Sequence, residues 1–257
     1  MKRRRLLRYA QVAMLAGVAP GVVTQLQTAQ AQGGGSLNIQ WLGHSCFLFS
    51  GGGLRILVNP FKSVGCTAKL RSPAVSSDLV MISSRLLDEG YVEGLPGRPK
   101  LLFQPGAYRV SGLKIQGVRT DHDRVGGFRF GVNVGWSWTQ GGIKVVHLGG
   151  IASPITLEQK ILLGRPDVLC VPVGGGDKSY TPEEAKTAIA MLEPRLVIPT
   201  QYRTSGADPK TCTALPLDDF LNVMKGTPVR RSGGSSITVS GGNLPNPGPA
   251  IQILSYG

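Results

Sequence analysis

Metal chemistry built on histidine needs three or four nitrogen, sulfur or oxygen donors around each ion. This 257-residue chain holds three histidines in all, His44, His122 and His147. His122 lies between Asp121 and Asp123, where a surface hydrogen-bonded imidazole is the ordinary reading and a general base the functional one. His44, between Gly43 and Ser45, reads as a turn residue, and His147 ends an apolar run and reads as buried and paired. Asp88-Glu89 is an acidic pair of the kind that opens a helix, where it suits the dipole. Gly174-Gly175-Gly176 either cradles an anion with its backbone N–H groups or makes a tight turn. Trp136 and Trp138 alternate onto one strand face, for core packing or as a binding platform. Cys46 and Cys170 sit inside apolar runs and read as buried thiols.

The elements that must hold these residues are mostly strands. Hydrophobic residues make up 41% of the chain and charged ones 17%, which excludes a disordered protein. Its abundant glycine and proline follow no period of three, which excludes collagen. Leu37–Leu42, Ser45–Ser50 and Leu54–Val58 read as strands, the last two a hairpin about Gly51-Gly52-Gly53. Asp78–Ser83, Lys100–Gln104, Leu113–Val118, Phe128–Val134 and Lys144–His147 add further strands. Leu157–Leu163 reads as a helix and Asp167–Pro172 as a buried parallel-type strand. Thr181 before Pro182 is an N-cap, with Pro at N1, for a helix running to Leu192. Leu196–Pro199 is another strand, Asp218–Met224 a helix, and Ser236–Val239 with Ile251–Leu254 the closing strands. The order suits one α/β domain over residues 37–257, two packed sheets with helices outside.

Residues 1–31 read as an address. Lys2 to Arg8 is basic, an apolar run interrupted by Pro20 follows, and Ala29-Gln30-Ala31 supplies small residues before a cleavage point. Arg3-Arg4 resembles a twin-arginine signal, with an ordinary secretory signal as the other reading. Residues 32–36 are a short linker. Export to a periplasm or thylakoid-lumen type of compartment follows as the expectation. The formal charge is +13, and without the five basic residues of 1–31 it is +8; in such a compartment it points to acidic proteins or anionic surfaces rather than nucleic acid.

Three segments carry a resemblance. Leu37–Phe61 reads LNIQWLGHSCFLFSGGGLRILVNPF, Val168–Ala185 reads VLCVPVGGGDKSYTPEEA, and Leu196–Thr204 reads LVIPTQYRT. With the DLVMIS strand they resemble the metallo-β-lactamase superfamily, and within it the branch of ascorbate-6-phosphate-lactonase-like Zn-dependent hydrolases. The resemblance implies an αββα sandwich, two mixed sheets flanked by helices, with a two-metal site on loops at one edge. It also implies where the ligands should fall. The family's Thr-His-x-His-x-Asp-His stretch falls on residues 83–89, so two ligand positions hold Ser84 and Leu86, Asp88 remains, and the last histidine is Glu89. A further histidine is kept as His122, the bridging aspartate falls at Gly150, and the final histidine is Gln201. One metal position is thereby left with His122 alone. The other would use Asp88, Glu89 and Gln201, three oxygen donors better suited to Ca²⁺, Mg²⁺ or Mn²⁺ than to Zn²⁺. Cys66 and Cys212 fall in loops that the resembled fold brings to the same edge, where a disulfide is one outcome after export.

These readings lead to an expectation with alternatives. The main one is a β-lactamase-fold protein that has lost most of its dinuclear site and serves as a non-catalytic binding or assembly module, needing no cofactor. Its partner would be an acidic protein or a small molecule in the old cavity, and self-association stays open. The alternative is a lactonase-like hydrolase using one residual divalent cation, with His122 as general base. A third reading is a metal-free enzyme using Ser83 or Ser84 near His122.

Overall fold

The computed structural model describes residues 35–256, so the address read in residues 1–31 and the start of the linker lie outside the described residues. The chain opens with β1 (Ser36–Gly43), β2 (Cys46–Gly51) and β3 (Leu54–Val58), followed by the short β4 (Leu79–Met81) and β5 (Lys100–Leu102). Four strands then run as a meander, β6 (Gly106–Val110), β7 (Leu113–Asp121), β8 (Val132–Gln140) and β9 (Ile143–His147). Next come α1 (Leu157–Leu163), β10 (Val168–Pro172), α2 (Pro182–Leu192), β11 (Leu196–Thr200) and α3 (Leu217–Val223). The chain closes with β12 (Val229–Arg231), β13 (Ser236–Ser240) and β14 (Ala250–Ile253).

Two mixed sheets result. One has the order β13-β1-β2-β3-β4-β5 and the other β12-β14-β11-β10-β9-β8-β7-β6. β10 and β11 are buried along their whole length and pair in parallel, which is why both read as continuous apolar runs rather than alternating ones. The inner faces close over Ile39, Phe47, Phe49, Ile56, Trp136, Trp138 and Val145. Phe49 and Trp138 meet edge to face at 5.0 Å between ring centroids, so the tryptophan pair is core. α2 starts where the sequence sets a capping box: Thr181 accepts from the Glu184 N–H and Glu184 from the Thr181 N–H.

The helices α1 and α2 pack on the eight-stranded sheet, with α3 against α2. The outer face of the six-stranded sheet is covered differently. Leu48, Leu57 and Val80 are closed over by Phe61, Leu70 and Ile82 with Val75, Val92 and Leu95, residues of irregular chain. Loops take the place of the helical layer expected on that side.

Two other expectations change. The strand read over Phe128–Val134 begins only at Val132, because the Asp123 carboxylate captures the N–H groups of Arg129 and Phe130. Asp88-Glu89 opens no helix; it lies in a turn after β4. β6 and β12 carry no clear alternation and were not foreseen.

Parallel pairing of β9, β10 and β11 sends their C-terminal ends to one edge of the sandwich. The loops after β3, β4 and β7 and the β1–β2 turn reach the same edge, and the site is built from them.

Candidate functional site

Glu89 is the centre of the arrangement. The chain turns sharply after β4: Asn59 accepts the Ser83 N–H at 2.8 Å, the Ser84 hydroxyl accepts from the Leu86 N–H, and Glu89 N–H bonds the Leu86 carbonyl. This turn drives Glu89 inward until it is fully buried. His122, at the end of β7, brings Nε2 to 2.6 Å from Glu89 Oε1. Gln201, at the end of β11 with φ +55°, donates from Nε2 to Glu89 Oε2 at 2.9 Å. Ser84 stands near enough to the same carboxylate to help lower its pKa. One residue away, Asp88 is ion-paired with Lys178 from the loop after β10.

The electrostatics follow from this geometry. Burial pushes the Glu89 carboxyl upward, but the His122 charge and hydrogen bond, aided by Ser84 and Lys178, bring it down to about 2. For His122 burial acts downward and is overridden by the Glu89 charge and hydrogen bond, so its pKa lies above the ordinary 6.5. The result is a buried imidazolium–carboxylate pair beside an ammonium–carboxylate pair. The two acids left from the ligand stretch are thus each balanced by a side-chain cation.

His122 was read as a surface histidine; it is buried. Nor does it suit a general base. Nε2 is committed to Glu89, and Nδ1 is buried without a partner, leaving no nitrogen open to a substrate. Ser84 Oγ is used by the turn and Ser83 Oγ is buried, so neither forms a nucleophile–base pair with it. His147 is also buried; its Nε2 meets the Ser45 carbonyl, and burial holds its pKa at about 4. His44 lines the cavity described below and is held below its ordinary value, first by burial.

The residues present do not fit the metal pair that the resemblance implies. Leu86 and Gly150 offer no side-chain donor. At Gly150 a Cβ would overlap the His122 ring and come within 2.9 Å of Glu89 Oε2, so the place of a bridging carboxylate is filled by the ion pair itself. The oxygen set Asp88, Glu89 and Gln201 does not fit a hard cation either. Glu89 and Gln201 do meet, but each Glu89 oxygen already accepts a hydrogen bond, Gln201 turns a donor toward it, and Asp88 is taken by Lys178. Among the described residues no three His, Cys, Asp or Glu side chains converge on one point.

Above this centre lies a cavity of about 460 Å³ lined by His44, Leu86, His122, Phe130, Lys178 and Gln201, among others. One wall joins the loops after β3 and β11. Cys66 and Cys212 form a disulfide there, and Lys69 N–H to Gly206 O at 2.9 Å and Asp208 N–H to Gly65 O at 3.0 Å tie the same loops. Cys46 and Cys170 are buried thiols. The opposite wall is the loop 123–131. Asp123 accepts four N–H groups, from Val125, Gly127, Arg129 and Phe130. Arg124 then clamps the loop to Glu184 through two bonds and to the Gly176 and Ser179 carbonyls. Gly175 N–H donates to Tyr180 O and Gly174 O accepts from Leu215 N–H, so the triple glycine is a turn holding Lys178 in place. Lys178, Asp123 and Arg124 escaped sequence reasoning; the Asp123-x-x-x-Gly pattern was the one available sign, a side chain able to cap its own loop.

Comparisons with known proteins agree with this architecture. The profile described as beta-lactamase superfamily domain matches residues 38–201. A protein of Methanoculleus marisnigri named as a metal-dependent hydrolase is 29% identical over 238 residues, covering 84% of this chain and 97% of its own. One of Thermococcus onnurineus with the same name is 27% identical, covering 68% and 89%. A solved structure from Thermotoga maritima, described as a Zn-dependent hydrolase of the metallo-beta-lactamase superfamily, aligns with TM-score 0.68 and 30% identity over 85% of this chain and 98% of that one.

Proposed function

The chain belongs to the beta-lactamase superfamily, and from that premise we propose that it is a non-catalytic member, a binding module using the cavity above the Glu89 centre. The observation that carries this reading is the pairing of the centre's charges with one another. Both Glu89 oxygens accept hydrogen bonds, from His122 and Gln201, Asp88 is paired with Lys178, and His122 Nδ1 is buried without a partner. A metal-activated hydroxide needs donors free to take a metal, and here Asp88, Glu89 and Gln201 are engaged with Lys178, His122 and one another. A metal-free hydrolase needs a free base bonded to a nucleophile, and among the described residues no histidine ring bonds a Ser, Thr or Cys side chain. The cavity remains large enough for a small molecule. Lys178 and His44 give it polar handles, and Leu86 and Phe130 an apolar floor. Export through the leader read in residues 1–31 belongs to the same proposal and suits an oxidised Cys66–Cys212 pair.

A second reading has its own support. The relatives are named as metal-dependent hydrolases, which favours retained metal-dependent hydrolysis through Asp88, Glu89 and Gln201. It would require Lys178 to leave Asp88 and His122 to leave Glu89, unpairing two charges. Turnover and stability together separate the readings. With lactone, β-lactam and phosphodiester substrates and added Zn²⁺ or Mn²⁺, the binding-module reading expects no turnover above blank and no metal-induced rise in Tm. Metal-dependent turnover abolished by Glu89→Gln would establish the hydrolase.

A further inference from the structure

β6 is the outermost strand of the eight-stranded sheet, and β7 is its one ladder partner among the described residues. Alternate N–H and C=O groups along β6 therefore face outward, as on any open edge. The stretch that builds this side is basic. Residues 94–120 contain Arg98, Lys100, Arg109, Lys114 and Arg119 and no acidic residue, and they form β5, β6 and most of β7. Arg109 and Lys114 stand directly opposite one another in the β6–β7 register, both exposed. Like charges in that position repel, and neither belongs to an ion pair of the described residues. Beside them a groove of about 500 Å³ runs between the strands and α1, lined by Arg109, Lys114, Lys144, Gln116 and Leu162 and by no acidic side chain.

We propose that the β6 edge and this groove bind an extended acidic segment of another polypeptide, which adds to the sheet as a further strand. Strand addition satisfies the outward backbone groups of β6, and the pleat delivers every second side chain of the guest to one face. Acidic residues at alternate positions would then lie beside Arg109 and, one strand further in, Lys114, while the residues between them face the other way. The charge pattern selects this occupant over others. A second copy paired edge to edge would bring Arg109 and Lys114 near their own counterparts, like against like. A lipid surface would want large apolar side chains projecting from the edge, whereas the exposed β6 residues are Ala107 and Arg109. The surface is separate from the Glu89 cavity, so the inference stands whether or not that cavity binds a ligand.

The test uses the full chain and a labelled peptide with Glu at alternate positions and Val or Thr between, against the same peptide with Gln for Glu. Fluorescence anisotropy at low salt should show binding by the Glu peptide, weakened about tenfold or more by the Gln replacement and by Arg109→Glu with Lys114→Glu. Saturating peptide should slow hydrogen exchange at β6 amides. Lys114→Glu alone, which leaves the β6 backbone edge intact and removes a like-charge pair with Arg109, is the second variant and should weaken binding without lowering Tm. Equal binding to the reversed-charge chain, or no slowing at β6, overturns the proposal. So does tighter binding to phosphatidylserine vesicles than to the peptide, which would reassign the patch to membranes.

Discussion

Glu89 carries an uneven share of this molecule's electrostatics, and its removal has a signed consequence. The Glu89 pKa is depressed from 4.5 to about 2, so its contribution to stability is present above 4.5 and lost as pH falls toward 2. The His122 pKa is raised from 6.5, so its contribution is full below 6.5 and fades as pH rises through the folded value. Together they are greatest between those two ordinary values. His44 and His147 are held down by burial and act in the opposite sense, adding stability as pH rises toward 6.5. The Glu89 charge raises both of them, so Glu89→Gln depresses them further, and that change too adds to the cost of the variant only below about 6.5. Glu89→Gln should cost about 3 kcal/mol, as breaking a buried ion pair does. The cost should be largest near pH 5–6 and shrink toward alkaline pH, as denaturant titrations across pH would show. A cost that grows from pH 6 to 9 would mean His122 is neutral in the fold.

The cavity walls are loop 123–131, held by Asp123 and Arg124, and the loops after β3 and β11, joined by the disulfide and two backbone hydrogen bonds. Asp123→Ala removes the acceptor of four N–H groups in the loop 123–131. Hydrogen exchange should speed up at Val125, Gly127, Arg129 and Phe130 while the β7–β8 ladder keeps its protection. Cys66→Ser should lower stability by about 2–4 kcal/mol, the usual worth of a native disulfide; thiol titration of the unfolded, unreduced wild type should find Cys46 and Cys170 alone. Elements of this kind differ in how legible they are. β10, β11 and α2 could be read from sequence because unbroken apolar runs and a Thr-Pro-Glu-Glu cap are local signals. The strand misplaced over Phe128–Gly131 could not, since its apolar residues fit a strand and only the Asp123 side chain decides otherwise. β6 was missed because an edge strand, half-buried on one face, needs no apolar alternation. The missing histidines were legible as well. That Glu89 and His122 pair with each other was not, because the contact spans β4 and β7 and exists only in the packed sandwich.

At the scale of the whole molecule, a beta-lactamase-superfamily fold brings strand ends and loops to one edge, where His122 and Lys178 sit against Glu89 and Asp88. The leader proposed for residues 1–31 belongs to this scale too. Intact mass of the exported protein should place the N-terminus at Gln32, and a chain retaining residues 1–31 after export would refute cleavage. The most direct test of the account is elemental analysis of the mature protein, purified without chelators and without a metal-binding tag. A side-chain ion-pair centre predicts no stoichiometric zinc, manganese or iron, and an unchanged result after incubation with Zn²⁺ and desalting. One tightly held metal ion per chain, lost in Glu89→Gln, would contradict it and return the protein to the metal-dependent hydrolases its relatives are named for.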